Sequence, residues 1–150
     1  MHPWQLAPWP DVDMVLRLVV AALLCSIVGW ERELADKPAG FRTLGLVGLG
    51  SALFAVLSSE AFPGADVPTR LAAGVVTGVG FLGAGTIIRT GVNVRGLTTA
   101  ASIWAVSAVG LSIGFGFYPI AIAGAVLSLF ILHFPRRFRP DKEHGLHHKK

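Results

Sequence analysis

Long apolar runs separated by short polar segments dominate this sequence. A helix needs about 20 mostly apolar residues to cross a bilayer, and three runs of roughly that length are bounded by charged or turn-forming residues. These runs are Asp13–Trp30, Phe41–Ser59 and Leu71–Ile88. They do not alternate between polar and apolar positions, as the strands of a membrane barrel would. The pattern therefore predicts membrane-spanning helices.

A fourth apolar stretch is too long for a single helix. The 40 residues from Gly96 to Pro135 contain no Asp, Glu, Lys or Arg, which suits two spans. The break between them is predicted near Gly114–Pro119, where glycine and proline supply turn chemistry. Spans four and five then cover Gly96–Gly114 and Phe117–Phe134. The predicted fold is an all-α, polytopic membrane bundle of five transmembrane helices.

The composition supports lipid as the solvent for these helices. Hydrophobic residues make up 53% of the chain, and the 18 glycines bring this share to about 65%, against about 45–50% in soluble domains. Charged residues make up 15%, whereas soluble domains carry about 25%. A soluble protein with five such helices would have too few polar residues for its surface.

Of the 13 basic residues, 11 fall on one side of the predicted membrane. The segment between spans one and two has three Lys or Arg, the segment between spans three and four has two, and the end of the chain has six. Because cytoplasmic segments carry the excess of Lys and Arg, the N-terminus is predicted outside and the C-terminus in the cytoplasm. Arg17 lies inside span one and is expected to snorkel outward. This topology also accounts for the net charge of +4, so nucleic acid is not an expected partner.

The chain divides into three predicted segments. Residues 1–12 form an interfacial N-terminal segment, because Trp4 and Trp9 favour the headgroup layer. Residues 13–134 form the five-span transmembrane domain. Residues 135–150 form a basic cytoplasmic tail, whose histidines are expected to be solvated rather than bound to a metal. These histidines are His144, His147 and His148.

Span three contains a glycine-rich segment. Residues Gly78–Gly83 match the G-x-G-x-x-G pattern, but they lie inside an apolar run and no acidic residue follows about 20 positions on, so we expect no dinucleotide cofactor. Either the glycines allow a neighbouring helix to approach closely, or they break the helix so that free carbonyl groups line a cavity. Both interpretations place span three at the centre of the bundle. The glycines concerned are Gly78, Gly80, Gly83 and Gly85.

Polar residues collect at the predicted cytoplasmic end of the bundle. Arg42 and Arg95 lie where spans two and four begin, and the helix dipole there favours anions rather than cations. Two nearby carboxylates, Glu31 and Glu33, are the expected partners of these arginines. We call the whole group the cytoplasmic polar cluster. It comprises Glu31, Arg32, Arg42, Asn93, Arg95, Thr98 and Thr99.

The cytoplasmic polar cluster allows two interpretations. The first is a set of ion pairs that fixes helix ends at the interface. The second is a pocket for a cation, a phosphate-bearing ligand or a partner protein, in which Thr98 or Thr99 caps span four and leaves backbone N–H groups for an anion. Glu31 and Glu33 are candidate Mg²⁺ ligands, because Mg²⁺ takes one or two carboxylates plus waters. Their spacing is not specific for a metal.

Nothing in the sequence suggests catalysis. There is no Ser/His/Asp or Cys/His arrangement and no carboxylate pair embedded in a span, and the single cysteine, Cys25, is most simply a packing residue. The protein is therefore not expected to be an enzyme.

Four ordered motifs resemble the MgtC/SapB family of bacterial inner-membrane proteins. The similarity runs from about Leu16 to Phe134. The motifs are Gly29-x-Glu31-Arg32-Glu33, then Lys37-Pro38-Ala39-Gly40-Phe41-Arg42-Thr43, then the segment from Gly78 to Arg89, and then the segment from Asn93 to Trp104. The resemblance implies a five-helix domain in the bacterial inner membrane. It also implies that the family's marked polar positions are the residues of the cytoplasmic polar cluster.

The resemblance implies a function as well. Family members are linked to adaptation to low magnesium and, in pathogens, to survival inside host cells. They are regarded as regulators that bind other membrane proteins, including the ATP synthase, and so affect membrane potential and ATP level. We therefore expect a regulatory or interaction protein with a membrane-protein partner or a second copy of itself. The alternative is a small transporter or channel subunit for Mg²⁺ or another cation.

Two departures from the family pattern affect these expectations. Many members carry a soluble C-terminal domain after span five, whereas this chain has a 16-residue tail, so we expect the membrane domain alone. The Arg42-Thr43 pair is followed by Leu44, where a polar residue is frequent in the family. This removes one potential polar ligand from the cytoplasmic polar cluster.

Overall fold

A computed structural model describes residues 10–60 and 66–133 of the 150-residue chain. Five helices and one small hairpin follow each other along the chain. They are α1 (Pro10–Leu34), α2 (Phe41–Glu60), α3 (Asp66–Gly85), β1 (Ile88–Thr90), β2 (Asn93–Arg95), α4 (Leu97–Gly114) and α5 (Tyr118–His133). The five predicted helices are confirmed. Most of the predicted interfacial segment, the end of span five at Phe134 and the basic tail with its histidines lie outside the described residues.

The helices have the length and composition of a multi-pass membrane protein. Four of them, α1 to α4, have 18 or more residues and are apolar enough to cross a bilayer. Helix α5 is equally apolar but has 16 described residues, about 24 Å at 1.5 Å per residue, against a hydrocarbon core of about 30 Å. The apolar side chains that face outward are accordingly solvated by lipid.

Helices α2 and α4, rather than α3, form the centre of the bundle. More than half of α4 (56%) is buried, whereas only 6% of the most apolar stretch of α3 is. The backbones of α2 and α4 meet at Gly48 and Gly110, where a Cβ on Gly110 would clash with the Gly48 backbone. The prediction that span three lies centrally is therefore wrong. A high glycine content does not place a helix at the centre unless its glycines face a neighbouring backbone.

The glycines of α1 and α2 let these two helices pack closely side by side. Gly29 lies against the backbone of Gly40 and Phe41, and Gly48 lies against Cys25. In lipid, where burial of apolar surface gives little driving force, such close backbone approach is a main source of helix association. The tightest packing in the described bundle is thus made by small residues on α1, α2 and α4.

Two helices end in the same hydrogen-bonded C-terminal turn. After α4, the Gly116 N–H donates to the Ile113 carbonyl and the Phe117 N–H to the Ser112 carbonyl, with Gly116 at φ 83°. This is the Schellman motif, in which a left-handed residue satisfies the last carbonyl groups of a helix. The predicted break near Gly114–Pro119 is confirmed. Helix α1 ends in the same way, with Asp36 at φ 54° in the left-handed position.

A short antiparallel hairpin joins α3 to α4, which the all-α prediction missed. Helix α3 ends at Gly85, and Ile88, predicted as the end of span three, begins β1 instead. The strands pair Ile88 with Arg95 and Thr90 with Asn93. A two-residue turn connects them, and its first residue, Gly91, has φ 61°. Glycine at this position is what a type II′ hairpin turn requires.

Candidate functional site

Helices α1 and α4 run antiparallel in a register that two hydrogen bonds define. Near the start of α1, Arg17 Nη1 donates to the carbonyl oxygen of Gly114 at 3.1 Å. Further along α1, Cys25 Sγ donates to the carbonyl oxygen of Val106 at 3.5 Å. Cys25 lies eight residues after Arg17, and Val106 lies eight residues before Gly114, so the two helices keep the same register. Seven more residues along the same register bring Arg32 opposite Thr99. Arg32 and Thr99 are buried, with 4% and 3% of their surface exposed.

Arg17 links the start of α1 to the end of α4 at one end of the bundle. Its Nη2 lies 2.5 Å from Asp13 Oδ2, while its Nη1 donates to the last residue of α4. A cation is favourable at a helix C-terminus, where unpaired carbonyl groups give a partial negative charge. The expectation that Arg17 snorkels outward is therefore wrong, since only 9% of the residue is exposed. The i,i+4 spacing of Asp13 and Arg17 was the signal available in the sequence.

The opposite end of the bundle, which we call the basic end, is where α1 and α3 finish and α2 and α4 begin. Here Arg32 Nη1 lies 3.5 Å from Glu31 Oε2, and both side chains are largely buried. The arginine beside Glu31 is therefore Arg32, the next residue in the sequence, rather than the predicted Arg42 or Arg95. Removing one partner of a buried ion pair lowers the stability of a protein by roughly 3–5 kcal/mol. The carboxylate of Glu31 therefore stabilises the buried Arg32 inside the bundle.

Glu33 has a different role from the one expected. Its Oε2 accepts a hydrogen bond of 2.9 Å from the Phe41 N–H, the first residue of α2. The carboxylate thus caps the N-terminus of α2 from the end of α1, and its negative charge interacts favourably with the positive end of the α2 dipole. The prediction that Glu33 partners an arginine side chain is replaced by this backbone contact. Glu31 points into the bundle while Glu33 is exposed, and no group of three or more potential metal ligands occurs among residues 10–60 and 66–133.

The structure separates the cytoplasmic polar cluster into a buried and an exposed part. Its buried or half-buried members are Glu31, Arg32 and Thr99, and its exposed members are Arg42, Asn93, Arg95 and Thr98. Asn93 and Arg95 belong to β2, away from the helix faces. The members of the cluster are separated because the hairpin, which contains Asn93 and Arg95, extends beyond the end of the helices.

Helix α4 begins without a side-chain cap. Its N-cap residue is Gly96, at φ 90°, and no side chain makes a capping hydrogen bond there. The prediction that Thr98 or Thr99 caps this helix is therefore wrong, because both lie inside it. A residue with a Cβ would not fit at Gly96, since that atom would overlap the Thr86 carbonyl oxygen. This close approach fixes the base of the hairpin to the end of α3.

The predicted glycine positions of α3 behave differently from one another. Gly83 packs against Ala100 of α4, whereas a Cβ on Gly78, Gly80 or Gly85 would meet nothing within 4 Å. Helix α3 is also continuous from Asp66 to Gly85. The alternative in which these glycines break the helix and free its carbonyl groups is therefore wrong. Close approach of a neighbouring helix to Gly78, Gly80 or Gly85 stays a prediction.

An open apolar groove lies between α2 and α3, and we call it the α2–α3 groove. Its volume is about 510 Å³. On the α3 side Gly74 and Gly78, four residues apart, form part of the lining, and Gly50 lies on the α2 side. No described atom of another helix lies within 4 Å of where their Cβ atoms would be. The groove is lined by Leu46, Val47, Gly50, Ser51, Phe54, Leu71, Gly74, Val75, Gly78, Val79 and Leu82.

Comparison with known proteins identifies a family and several relatives. The model of the MgtC family matches residues 18–140. "Putative magnesium transporter YhiD" of Escherichia coli (strain K12) is 46% identical over 129 residues, which are 80% of this chain and 59% of the relative. "Protein MgtC" of Salmonella typhimurium (strain LT2) is 44% identical over 115 residues, 77% of this chain and 49% of the relative. "Protein MgtC" of Brucella abortus (strain 2308) is 46% identical over 123 residues, 82% and 50% respectively.

These relatives are longer than the present chain. It spans about half to three fifths of their length, and the match falls on the membrane domain. No solved structure matches the chain.

Proposed function

This chain belongs to the MgtC family, and we propose that it is an interaction protein that holds a transmembrane helix of another membrane protein in the α2–α3 groove. This contact regulates the activity of the partner protein. The family resemblance implies that the regulation serves adaptation to low magnesium and affects membrane potential and ATP level. The proposal includes no catalytic step. It places the protein in the bacterial inner membrane with the basic end in the cytoplasm, in agreement with the positive-inside distribution.

The shape of the α2–α3 groove is the observation that carries this proposal. Gly74 and Gly78 form a G-x-x-x-G pair on α3, the pattern that lets two membrane helices approach backbone to backbone. A Cβ on either glycine would meet no described atom of another helix within 4 Å. The large side chains of Leu46, Phe54 and Leu82 contribute to the lining of the groove. A helix from another protein would find both a close backbone contact and apolar walls.

Site-specific photocross-linking in native membranes tests this contact. A photoreactive residue at Val75, which lines the groove, should capture a second membrane protein, whereas the same residue at the exposed neighbour Val76 should not. Gly78→Leu should abolish capture, because its side chain fills the groove. Gly80→Leu is the matched control, because Gly80 is equally open but does not line the groove.

Two results would contradict the interaction proposal. Equal capture at Val75 and Val76, insensitive to Gly78→Leu, would show that the groove is not the contact. A cross-linked species composed only of two copies of this chain would assign the groove to self-association instead of a partner protein.

Cation transport is the second candidate function, and a relative's name favours it. The Escherichia coli relative with 46% identity carries the name "Putative magnesium transporter YhiD", and the largely buried carboxylate of Glu31 lies beside Arg32 at the basic end. Purified protein in liposomes loaded with a magnesium-sensitive dye tests this directly. Saturable uptake that Glu31→Gln abolishes, without a loss of folded protein, would favour transport. No uptake above protein-free liposomes would leave the interaction proposal in place.

A further inference from the structure

The hairpin between α3 and α4 exposes apolar residues. All six residues of its two strands are exposed, with Ile88 at 62%, and Val92 in the turn is 94% exposed. An isolated two-stranded hairpin is only marginally stable in water. The surroundings of the hairpin, rather than its own packing, must therefore stabilise it.

The position of the hairpin is fixed at the level where two apolar helices end. Two residues, Thr86 and Ile87, separate it from the end of α3, and one residue, Gly96, separates it from the start of α4. Its base is locked by the close approach of Gly96 to the Thr86 carbonyl group. The hairpin therefore cannot swing far from the ends of α3 and α4. In a bilayer, this level is the layer of lipid headgroups.

The charges of the hairpin complement anionic headgroups. Arg89 and Arg95 are both exposed, and the sequence has no Asp or Glu between Asp66 and Asp141. Arg89 Nε donates to the Gly91 carbonyl oxygen at 3.1 Å, which holds this guanidinium beside the turn while its Nη groups stay available. The guanidinium of Arg89 is thus held at the turn that contains the exposed Val92.

Each face of the hairpin combines a cation with an aliphatic side chain. The cross-strand pairs are Ile88 with Arg95 and Arg89 with Val94, and residues directly opposite each other project from the same face of a ribbon. Apolar side chains next to arginines are the features of segments that lie in the membrane interface, where the apolar groups enter the acyl boundary and the cations meet phosphate. Free phosphate would bind the arginines, but it would leave the apolar side chain of Val92 exposed to water.

We propose that this hairpin is an anionic-lipid anchor, in which Val92 enters the headgroup–acyl boundary and Arg89 and Arg95 bind the phosphate groups of anionic phospholipids. This contact holds the ends of α3 and α4 at a set depth. It is independent of the α2–α3 groove, which lies within the membrane. Each arginine near an anionic surface should strengthen the lipid contact roughly fivefold, so loss of both should weaken it about 25-fold.

A fluorescent label on the full chain in lipid nanodiscs tests the anchor. Val92→Cys is labelled with an environment-sensitive dye, in a Cys25→Ala background, since Cys25 is the one native cysteine. The nanodiscs contain phosphatidylcholine alone or phosphatidylcholine mixed with phosphatidylglycerol. The label should be shielded from water and quenched by lipid-attached quenchers, more strongly with phosphatidylglycerol. Arg89→Gln with Arg95→Gln should remove the phosphatidylglycerol effect, whereas Lys37→Gln, an exposed cation in the α1–α2 loop, should not.

Three outcomes would overturn the proposal. Competition by inorganic phosphate at millimolar concentration would point to a free anion as the ligand. A label that is exposed to water in both lipid mixtures, but shielded in native membrane vesicles, would assign the hairpin to a protein partner. A phosphatidylglycerol effect that survives the double arginine substitution would show that these cations do not recognise the lipid.

Discussion

The guanidinium of Arg17 donates a hydrogen bond to the carbonyl oxygen of Gly114, 97 positions later in the chain. This contact joins the start of α1 to the end of α4. Asp13 lies against the same guanidinium from one turn earlier, so a buried cation is held between a carboxylate and a helix C-terminus. The contact fixes the register in which α1 runs along α4, and that register continues through Cys25 and Val106.

Replacing Arg17 should destabilise the bundle. Arg17→Met keeps much of the apolar stem but removes the hydrogen bond to Gly114 and leaves Asp13 without its cation. Because hydrogen bonds to charged groups contribute about 1.5–3 kcal/mol, the free energy of unfolding should fall by about 2 kcal/mol. Denaturation in bicelles would measure the change.

Arg70→Met is the matched control for this substitution, because Arg70 is exposed on α3. It should leave the free energy of unfolding nearly unchanged. Equal effects of the two variants would show that the Arg17–Gly114 contact does not stabilise the fold.

Adding a methyl group at the α2–α4 contact should lower the stability of the protein far more than adding one on the open face of α3. Gly110→Ala places a Cβ against the Gly48 backbone, so the two helices must move apart, and the cost should be about 2 kcal/mol or more, as for overpacking in a core. Gly80→Ala faces open space and should be neutral or stabilising, because alanine favours a helix over glycine by up to about 1 kcal/mol. Thermal unfolding of both variants in one detergent makes the comparison. A more stable Gly110→Ala protein would disprove the close approach of α2 and α4.

The two glycines of the hairpin should differ in their tolerance of alanine. Gly96 and Gly91 both have positive φ, 90° and 61°, so each alanine carries a backbone strain of about 1–2 kcal/mol. Only at Gly96 would the new Cβ also overlap a backbone atom, the Thr86 carbonyl oxygen. Gly96→Ala should therefore lower the free energy of unfolding clearly more than Gly91→Ala. Hydrogen exchange at the start of α4 gives a local measure of the same effect, and similar exchange in both variants would contradict it.

Glu33 should act as a helix cap rather than a metal ligand. Glu33→Ala removes the acceptor for the Phe41 N–H and should cost about 1 kcal/mol, the usual effect of losing a cap. Glu33→Gln retains a side-chain oxygen and should cost less. Urea unfolding, repeated with and without Mg²⁺, separates the two roles. If Mg²⁺ stabilises the unaltered protein but neither variant, Glu33 is a ligand and the cap interpretation is wrong.

The helices could be predicted almost to the residue where composition changes sharply. Phe41 was predicted to begin the second helix and Gly114 to end the fourth, and both are observed, because a polar or turn-forming segment adjoins each boundary. The end of α3 was placed three residues too late. The apolar run continues through Ile88, and hydropathy does not distinguish an apolar helix from an apolar strand.

The candidate site was predicted less well than the helices. Glu31, Arg32 and Thr99 lie near one end of the bundle, and their burial depends on the rotation of α1 and α4 about their own axes, which the sequence does not specify. Asn93 and Arg95 were expected at the same place and instead lie on an exposed hairpin. The capping role of Glu33 depends on the path of the α1–α2 loop, which a Schellman turn at Asp36 decides.

A helical membrane protein of the MgtC family can be recognised from the chain alone, because the length of the apolar runs and the order of the motifs are properties of the amino-acid sequence. Which glycines matter for packing depends on how the helices meet. Gly48 and Gly110 meet, whereas a Cβ on Gly78 or Gly80 would meet nothing within 4 Å, although all four lie in similar apolar helices. Close packing depends on the rotation and register of two helices that are far apart in sequence. One helix alone contains the small residues but not the surface against which they pack.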